Sequence, residues 1–232
     1  VASIRDLTHD VKEVRLSLLD PPYMSFKAGQ FIQFLVPACD GMKEPVYRAY
    51  SIASSPAITN QIEIHVKYVP GGVSTTCIHK HLREGDAVII VGPDGDLHLR
   101  DTDRQIVLIA GGSGMAPIRS MLLEMACTHS RRKAIFFFGV KARRDLVLFD
   151  EMRQLEKQLA DFRFIPALSN AEPADNWQGE TGLITEVFSR NIDSGADTEA
   201  YLCGSPPMIN ACLKALKAKG IPDSQTYYDR FV

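Results

Sequence analysis

Five short stretches of the chain carry residue types suited to a flat, phosphate-bearing ligand. The first is Pro45-Val-Tyr-Arg-Ala-Tyr-Ser-Ile-Ala-Ser-Ser-Pro56, which sets Arg48, Tyr50 and Ser51 into a strand-like run. Alternation along a strand puts Arg48 and Tyr50 on one side and Ser51 on the other, so a flat anionic group can lie against guanidinium and ring. The second, Gly111-Gly-Ser-Gly-Met-Ala-Pro117, stands where a buried apolar strand passes into a helix. Its glycines allow close backbone approach, and the helix start offers free N–H groups and a positive dipole end, a place for a dinucleotide pyrophosphate. The string departs from the usual G-x-G-x-x-G, and a plain strand-to-helix turn accounts for it equally well.

The third stretch, Val69-Pro-Gly-Gly-Val-Ser-Thr-Thr-Cys77, is another glycine turn opening into a helix and is again phosphate-friendly. The fourth, Glu199-Ala-Tyr-Leu-Cys-Gly-Ser-Pro-Pro-Met208, is a second strand-to-helix junction. In a doubly wound sheet ligands gather at the carboxyl ends of strands, so this junction and the one at Gly111 would line one crevice with Cys203 at its rim. The bland reading of Cys203 is a small buried residue at a strand end. The fifth, Tyr227-Tyr-Asp-Arg-Phe-Val232, is aromatic where free termini are usually polar and frayed. It reads as a terminal strand completing a sheet, an arrangement that leaves Phe231 able to cover a ligand.

The elements that must position these residues divide into two grammars. Val11 to Leu99 carries short alternating runs, at Val11–Leu18, Gln30–Val36, Gln61–Val69 and Ala87–Val91, separated by Gly and Pro turns. That pattern reads as an antiparallel sheet or barrel with one short helix from Ser74 to Leu82, capped by Ser74 or Thr75. Beyond Leu99, buried-type strands at Gln105–Ala110, Ala134–Phe138, Phe162–Leu168 and Glu199–Gly204 alternate with helical periodicity. In the first of those helices Ile118, Met121, Leu122 and Met125 form the apolar stripe behind Pro117. Strand alternating with helix implies a mainly parallel sheet covered on both faces. The expected organisation is therefore two domains: an antiparallel β-barrel over residues 1–102, then an α/β doubly wound parallel sheet over residues 103–232.

Composition sets the outer limits. With 232 residues, 45% hydrophobic and 23% charged, the chain has the make-up of an ordinary globular protein with a sizeable core. A formal net charge of −2, from 26 basic and 28 acidic residues, offers no broad attraction for nucleic acid or anionic lipid. No run approaches the ~20 apolar residues that span a bilayer, and Val1-Ala-Ser-Ile-Arg-Asp6 has no signal-peptide layout. The expectation is a cytoplasmic protein without a membrane segment. Five cysteines, an odd number with no Cys-x-x-Cys, suit neither a disulfide framework nor a metal site, so reduced thiols and no metal are expected. His79-x-His81 lacks carboxylate or thiolate company and reads as solvated.

Taken in order, Arg48-Ala-Tyr-Ser51, Gly71-Gly-Val-Ser74, Gly111-Gly-Ser-Gly-Met-Ala-Pro117, Cys203-Gly-Ser-Pro-Pro-Met208 and Asp229-Arg-Phe231 resemble the motif series of the ferredoxin–NADP reductase family. The resemblance covers nearly the whole chain and implies a flavin-binding barrel followed by a nicotinamide-binding α/β domain. Gly111 to Ser120, Asp175-Asn-Trp-Gln-Gly-Glu-Thr-Gly182 and Cys203 to Asn210 look most like the F subunit of sodium-translocating NADH:quinone oxidoreductases. The reductase components of bacterial oxygenases are similar too. The F subunit carries a membrane anchor and a four-cysteine iron–sulfur domain ahead of this region; neither lies in this sequence.

What the resemblance implies can be stated residue by residue. Tyr50 would stack on the isoalloxazine of FAD, Ser51 would hydrogen-bond near flavin N5, and Arg48 would pair with the pyrophosphate. Val66 and Lys67 would add contacts, and Gly72, Val73 and Ser74 would close over the phosphates. Gly111, Gly112, Ser113, Gly114 and Pro117 would hold the nicotinamide dinucleotide, joined by Gly204, Pro206 and Met208. Cys203 would approach the nicotinamide, Asp229 would replace the family's common glutamate, and Phe231 would shield the flavin as a gate. Ser51, Cys203, Asp229 and Phe231 are thus the expected catalytic set.

Ser169-Asn170, where NADPH-using relatives often place Ser-Arg, implies NADH in preference to NADPH, although Arg143 and Arg144 after the preceding strand offer an alternative grip. The implied activity is hydride transfer from NADH to FAD N5, with single electrons passed on to an iron–sulfur protein, to a missing N-terminal iron–sulfur domain, or to a quinone. Two further readings stand beside it, a stand-alone NAD(P)H:flavin reductase and a non-catalytic flavin-binding electron-transfer or regulatory subunit. A partner or missing segment would place the protein at the inner face of the membrane.

Overall fold

Alternation of side chains shapes the first half of the molecule, which is seen here in a computed structural model that describes residues 1–39 and 42–230. Ser3–Asp6 (β1), Val11–Ser17 (β2) and Gln61–Lys67 (β5) form one antiparallel sheet in the order β1-β2-β5. Phe31–Val36 (β3), Val46–Ser51 (β4) and Ile89–Asp94 (β6) form a second, ordered β4-β3-β6. An antiparallel bridge between Ile52 and Ile64 ties β4 to β5, so the two sheets wrap one core. Ile62, Ile64 and Val66 point inward to meet Val14, Phe34 and Ile32. Their neighbours Glu63, His65 and Lys67 therefore take the opposite face of β5, the face turned to the second half.

Val73–Lys80 (α1) closes the end of the barrel with Cys77 and Ile78. The helix has Gly72 as its N-cap and no side-chain cap, so neither expected capping residue acts as one. Thr75 instead locks the preceding turn: its hydroxyl donates to the Gly72 carbonyl at 3.1 Å and accepts the Val69 N–H at 3.1 Å. The expectation of reduced thiols fails at two positions, because Cys39 and Cys77 form a disulfide with a Cα–Cα distance of 5.9 Å. They stand 38 residues apart and meet only when α1 folds over the β3–β4 connection, which no local spacing could signal. Cys127, Cys203 and Cys212 are free.

The second half follows the periodicity of its sequence. Gln105–Gly111 (β7), Met115–Cys127 (α2), Ala134–Val140 (β8), Phe149–Gln158 (α3), Phe162–Leu168 (β9), Glu180–Thr181 (β10), Ile184–Asn191 (α4), Thr198–Gly204 (β11), Pro206–Ala218 (α5) and Thr226–Arg230 (β12) follow in order. The six strands pair in parallel as β10-β9-β8-β7-β11-β12. Apolar residues on α2 and α3 bury one face of the sheet, and Val187, Phe188, Ile209 and Leu216 from α4 and α5 bury the other. The two-residue β10 carried no apolar signal of its own. The chain order reverses between β7 and β11, so their carboxyl ends open a crevice.

The halves are joined by charge as well as packing. Arg119 on α2 donates to Glu63 of β5 at 2.6 Å, to the Ala53 carbonyl at 2.8 Å and to Glu151 of α3 at 2.6 Å. Next to it the Ser120 hydroxyl donates to the Ser54 carbonyl at 2.7 Å. On the far side, the buried Tyr201 hydroxyl accepts the Arg100 N–H and donates to Glu199, which Arg132 also holds. No helix among the described residues is long and apolar enough to cross a membrane.

Candidate functional site

Between the two halves lies a cleft of about 1550 Å³. From the barrel its wall takes Arg48, Tyr50, Ser51, Lys67, Gly72, Val73 and Ser74, seven of the residues the sequence singled out. From the second half it takes Gly111, Gly112, Ser113 and Met208. The glycine turn ahead of α1 and the one ahead of α2 thus face a single space, although they lie on different folds within the chain.

Two glycines show how close the backbone must come. Gly112 has φ +56°, and a Cβ there would stand 3.6 Å from Nζ of Lys67 across the cleft. At Gly114 a Cβ would overlap the carbonyl of Cys203, so the turn into α2 sits directly on the end of β11. Gly114 and Pro117 are buried at the start of α2 and support the wall without lining it. Gly204 is likewise buried, and Pro206 opens α5 behind Ser205, which does reach the cleft. Val66 turns its side chain into the barrel core, and its carbonyl lies 2.9 Å from Nε2 of His79. His79 is accordingly half-buried on a backbone partner, where the sequence suggested a solvated ring.

Three of the four expected catalytic residues form one cluster behind the wall. Cys203 is fully buried, pairs in sheet register with Asp229, and has the Ser51 side chain near enough to act on its thiol. Burial pushes its thiol well above the usual range, the Asp229 carboxylate adds to that, and the Ser51 hydroxyl opposes it. Burial also raises Asp229, with Asp96 contributing. A neutral thiol therefore packs against the serine that does face the cleft. The fourth residue, Phe231, lies outside the described residues.

The wall's electrostatics are cationic toward its barrel side. Arg48 is exposed, donates to the Tyr47 carbonyl at 2.9 Å, and among the described residues has no carboxylate partner. Burial raises the Tyr50 phenol to about 12, with Arg48 opposing, so it stays a neutral ring set edge-on to Phe34. Lys67 pairs with Asp10 at 3.2 Å. Burial lifts Asp10, but the Thr8 hydrogen bond and Lys67 outweigh it and hold the carboxyl below its ordinary value. Ser169, Asn170, Arg144, Glu172 and Asp175 line the far end, while Arg143 spends its guanidinium on the Asp175 carbonyl at 2.7 Å.

Sequence reasoning passed over His65, Ser205 and Arg230 in this wall. For His65 the signal was present: it alternates in phase with Lys67 along β5. Ser205 and Arg230 are placed only by the parallel pairing of β11 with β12, a long-range contact without a local pattern.

Known proteins match this arrangement along its whole length. A family profile described as an oxidoreductase FAD-binding domain matches residues 1–99, and one described as an oxidoreductase NAD-binding domain matches residues 108–214. The crystal structure of the Amycolatopsis cytochrome P450 reductase GcoB superposes with a TM-score of 0.89 at 30% identity, covering 99% of this chain and 68% of that one. The reductase component of propane 2-monooxygenase from Mycolicibacterium smegmatis is 35% identical across 100% of this chain and 66% of its own length. The F subunit of the Na(+)-translocating NADH-quinone reductase of Yersinia enterocolitica is 33% identical across 95% of this chain and 64% of its own. The chain belongs to the ferredoxin–NADP reductase-like family of oxidoreductases, with an FAD-binding half followed by an NAD-binding half. It spans 66% and 64% of the length of those two curated relatives.

Proposed function

We propose that the chain is the reductase module of an electron-transfer system, taking hydride from NADH onto FAD within the cleft and delivering single electrons to an iron–sulfur protein or domain, or to a quinone. The observation that carries this reading is the convergence of Arg48, Tyr50 and Ser51 with Gly111, Gly112 and Ser113 on one space, with Cys203 packed behind Ser51. FAD, when bound, supplies the ring that accepts two electrons together and releases them singly.

The chain's own groups then have defined tasks. The Arg48 guanidinium, without a carboxylate partner among the described residues, gives a charge-assisted seat for a pyrophosphate, and the start of α1 adds the backbone N–H groups of Val73 and Ser74 to it, with Gly72 closing the turn on the Val69 carbonyl. Tyr50 provides a flat apolar face. Gly111, Gly112 and Ser113 offer the start of α2 to a second dinucleotide, and Ser51 with Cys203 and Asp229 sets the polar floor where the two ligands meet. The division assigned to these tasks is residues 1–102 for FAD and 103–232 for the nicotinamide dinucleotide. NADH is preferred because Glu172 and Asp175 stand at the far end beside Asn170, and carboxylates there oppose a 2′-phosphate.

The test uses protein loaded with FAD, passed through gel filtration and mixed anaerobically with each nucleotide and a plant-type [2Fe–2S] ferredoxin. Retained flavin, reduction by NADH at lower concentration than NADPH, and reduction of the ferredoxin are expected. Flavin that washes out would indicate a flavin reductase instead. Flavin that stays bound and oxidised with both nucleotides would indicate a non-catalytic subunit.

A further inference from the structure

Ser120 is fully buried on α2. A helical serine or threonine can satisfy its hydroxyl on the carbonyl one turn back, as Thr76 does on Gly72 at 2.8 Å and Ser189 does on Thr185 at 2.7 Å. Ser120 instead leaves its own helix and donates to the carbonyl of Ser54, in the other half of the chain. Its neighbour Arg119 donates to the carbonyl of Ala53, the residue before Ser54, at 2.8 Å. Two adjacent side chains of the second half thus hold two adjacent carbonyls of the first.

Both ends of this contact are fixed. Ala53 and Ser54 are buried; the Ala53 N–H donates to the Glu63 carbonyl at 2.8 Å, and the Ser54 hydroxyl accepts the Glu63 N–H at 3.2 Å. The segment is therefore tied to β5. Glu63 and Glu151 each accept from the Arg119 guanidinium at 2.6 Å, which sets its plane. At its start α2 rests on β11, where Gly114 lies against the Cys203 carbonyl. Neither Arg119 nor Ser120 lines the cleft, so their polar groups are spent on protein and not on a ligand.

The pair stands between the two stretches that face the cleft. Ser54 follows Ser51 by three residues, a span of at most roughly 10 Å. Ser120 follows Met115, the first residue of α2, by five residues, about 8 Å along the helix axis. Gly112 and Ser113 of the cleft wall lie just ahead of that start. Hydride transfer depends steeply on placement, and a shift of about 1 Å in the reacting atoms can cost on the order of 100-fold in rate. Two neighbouring bonds that tie the glycine turn to the Tyr50–Ser51 strand set that placement.

We propose that Arg119 and Ser120 form a positioning pair, which holds the nicotinamide turn in register with the flavin strand so that the two rings meet at reacting distance. The inference rests on the assignment of FAD to the barrel side of the cleft and of NADH to the α2 side. The pair contributes alignment and not affinity. Each ligand keeps the contacts of its own half, and only their mutual placement depends on the bonds to Ala53 and Ser54.

The experiment compares FAD-loaded wild type with Ser120→Ala, Arg119→Lys and Ile221→Val. Ile221 is buried between α5 and β12, at the amino ends of the strands and away from the cleft, so its variant is a mild packing change that spares the pair. Four quantities are read: the affinity for FAD, the affinity for NAD+, the limiting rate of anaerobic flavin reduction at saturating NADH, and the long-wavelength charge-transfer absorption that stacked rings give when NAD+ is added to photoreduced protein. Ser120→Ala should hold both affinities within about twofold while the limiting rate falls about tenfold and the charge-transfer band weakens. Arg119→Lys, which keeps the charge but not the planar fork, should show the same split. Ile221→Val should keep the wild-type rate and band. A wild-type rate and band in both Ser120→Ala and Arg119→Lys would overturn the inference. So would equal slowing in Ile221→Val, or a loss of FAD or NAD+ affinity that accounts for the whole change, since either marks a merely structural role. Wild-type flavin that NADH does not reduce would reject the hydride-transfer reading and the inference with it, a result seen before any variant is compared.

Discussion

The two halves of the molecule build opposite walls of one cleft by different means. The barrel presents side chains: Arg48 and Tyr50 along β4, and His65 and Lys67 along β5, each set by the two-residue period of a strand. The α/β half presents backbone at Gly111–Ser113 and Ser205, where strands end and helices begin. The side-chain wall can be altered residue by residue while its frame stays intact. The backbone wall is fixed by contacts such as Gly114 on the Cys203 carbonyl, so changing it disturbs the frame itself.

The largest test of that contrast is the clamp between the halves. Arg119→Ala removes the buried partner of Glu63, which keeps Arg15, and of the partly buried Glu151, and should cost about 1.5–3 kcal/mol of stability, read from denaturant unfolding. A loss under about 1 kcal/mol would mean that the halves are held by apolar packing alone. Next, Gly114→Ala should destabilise by about 1–3 kcal/mol, because the new methyl meets a carbonyl that cannot move aside. Gly111→Ala should be milder, since its methyl meets the flexible Met208 thioether 2.7 Å away. Equal costs at both glycines would break the claim that one turn rests on backbone and the other on a pliant side chain. Both variants should weaken NADH more than FAD.

A smaller effect concerns pH. The folded His65 resists protonation down to about 3, while the unfolded ring takes up a proton near 6.5. The unfolded state therefore binds more protons in that window, and stability falls as pH drops, by up to ~1.4 kcal/mol per unit from this group. Glu13, Glu63, Lys67, Arg5 and Arg119 surround it. The difference between wild-type and His65→Val apoprotein isolates the histidine: the variant should lose stability less steeply below about pH 6.5. Parallel curves would show that the ring titrates normally.

Much of this was legible before folding was considered. Alternation marked β2, β3 and β5, and helical periodicity behind Pro117 marked α2, because burial of one face imposes those periods directly on the sequence. The glycine turns and the Arg48, Tyr50, Ser51 run were readable because backbone approach and anion binding restrict residue type locally. The rest needed three dimensions. Cys39 and Cys77 meet across 38 residues, Arg119 reaches Glu63 from the other half of the chain, and Ser51 acts on Cys203 only once the two halves are assembled. His65 has the alternation of any strand histidine, and only its burial shows that its two nitrogens have no hydrogen-bond partner among the described residues.

The most direct measurement is anaerobic stopped-flow reduction of the FAD-loaded protein by NADH deuterated at C4 on one face and then on the other. A single cleft that holds both rings in one relative orientation predicts that label is lost from one face only and that flavin bleaching is slowed with that isotopomer. Label retained in NAD+ from both faces, or a flavin that remains oxidised, would contradict it.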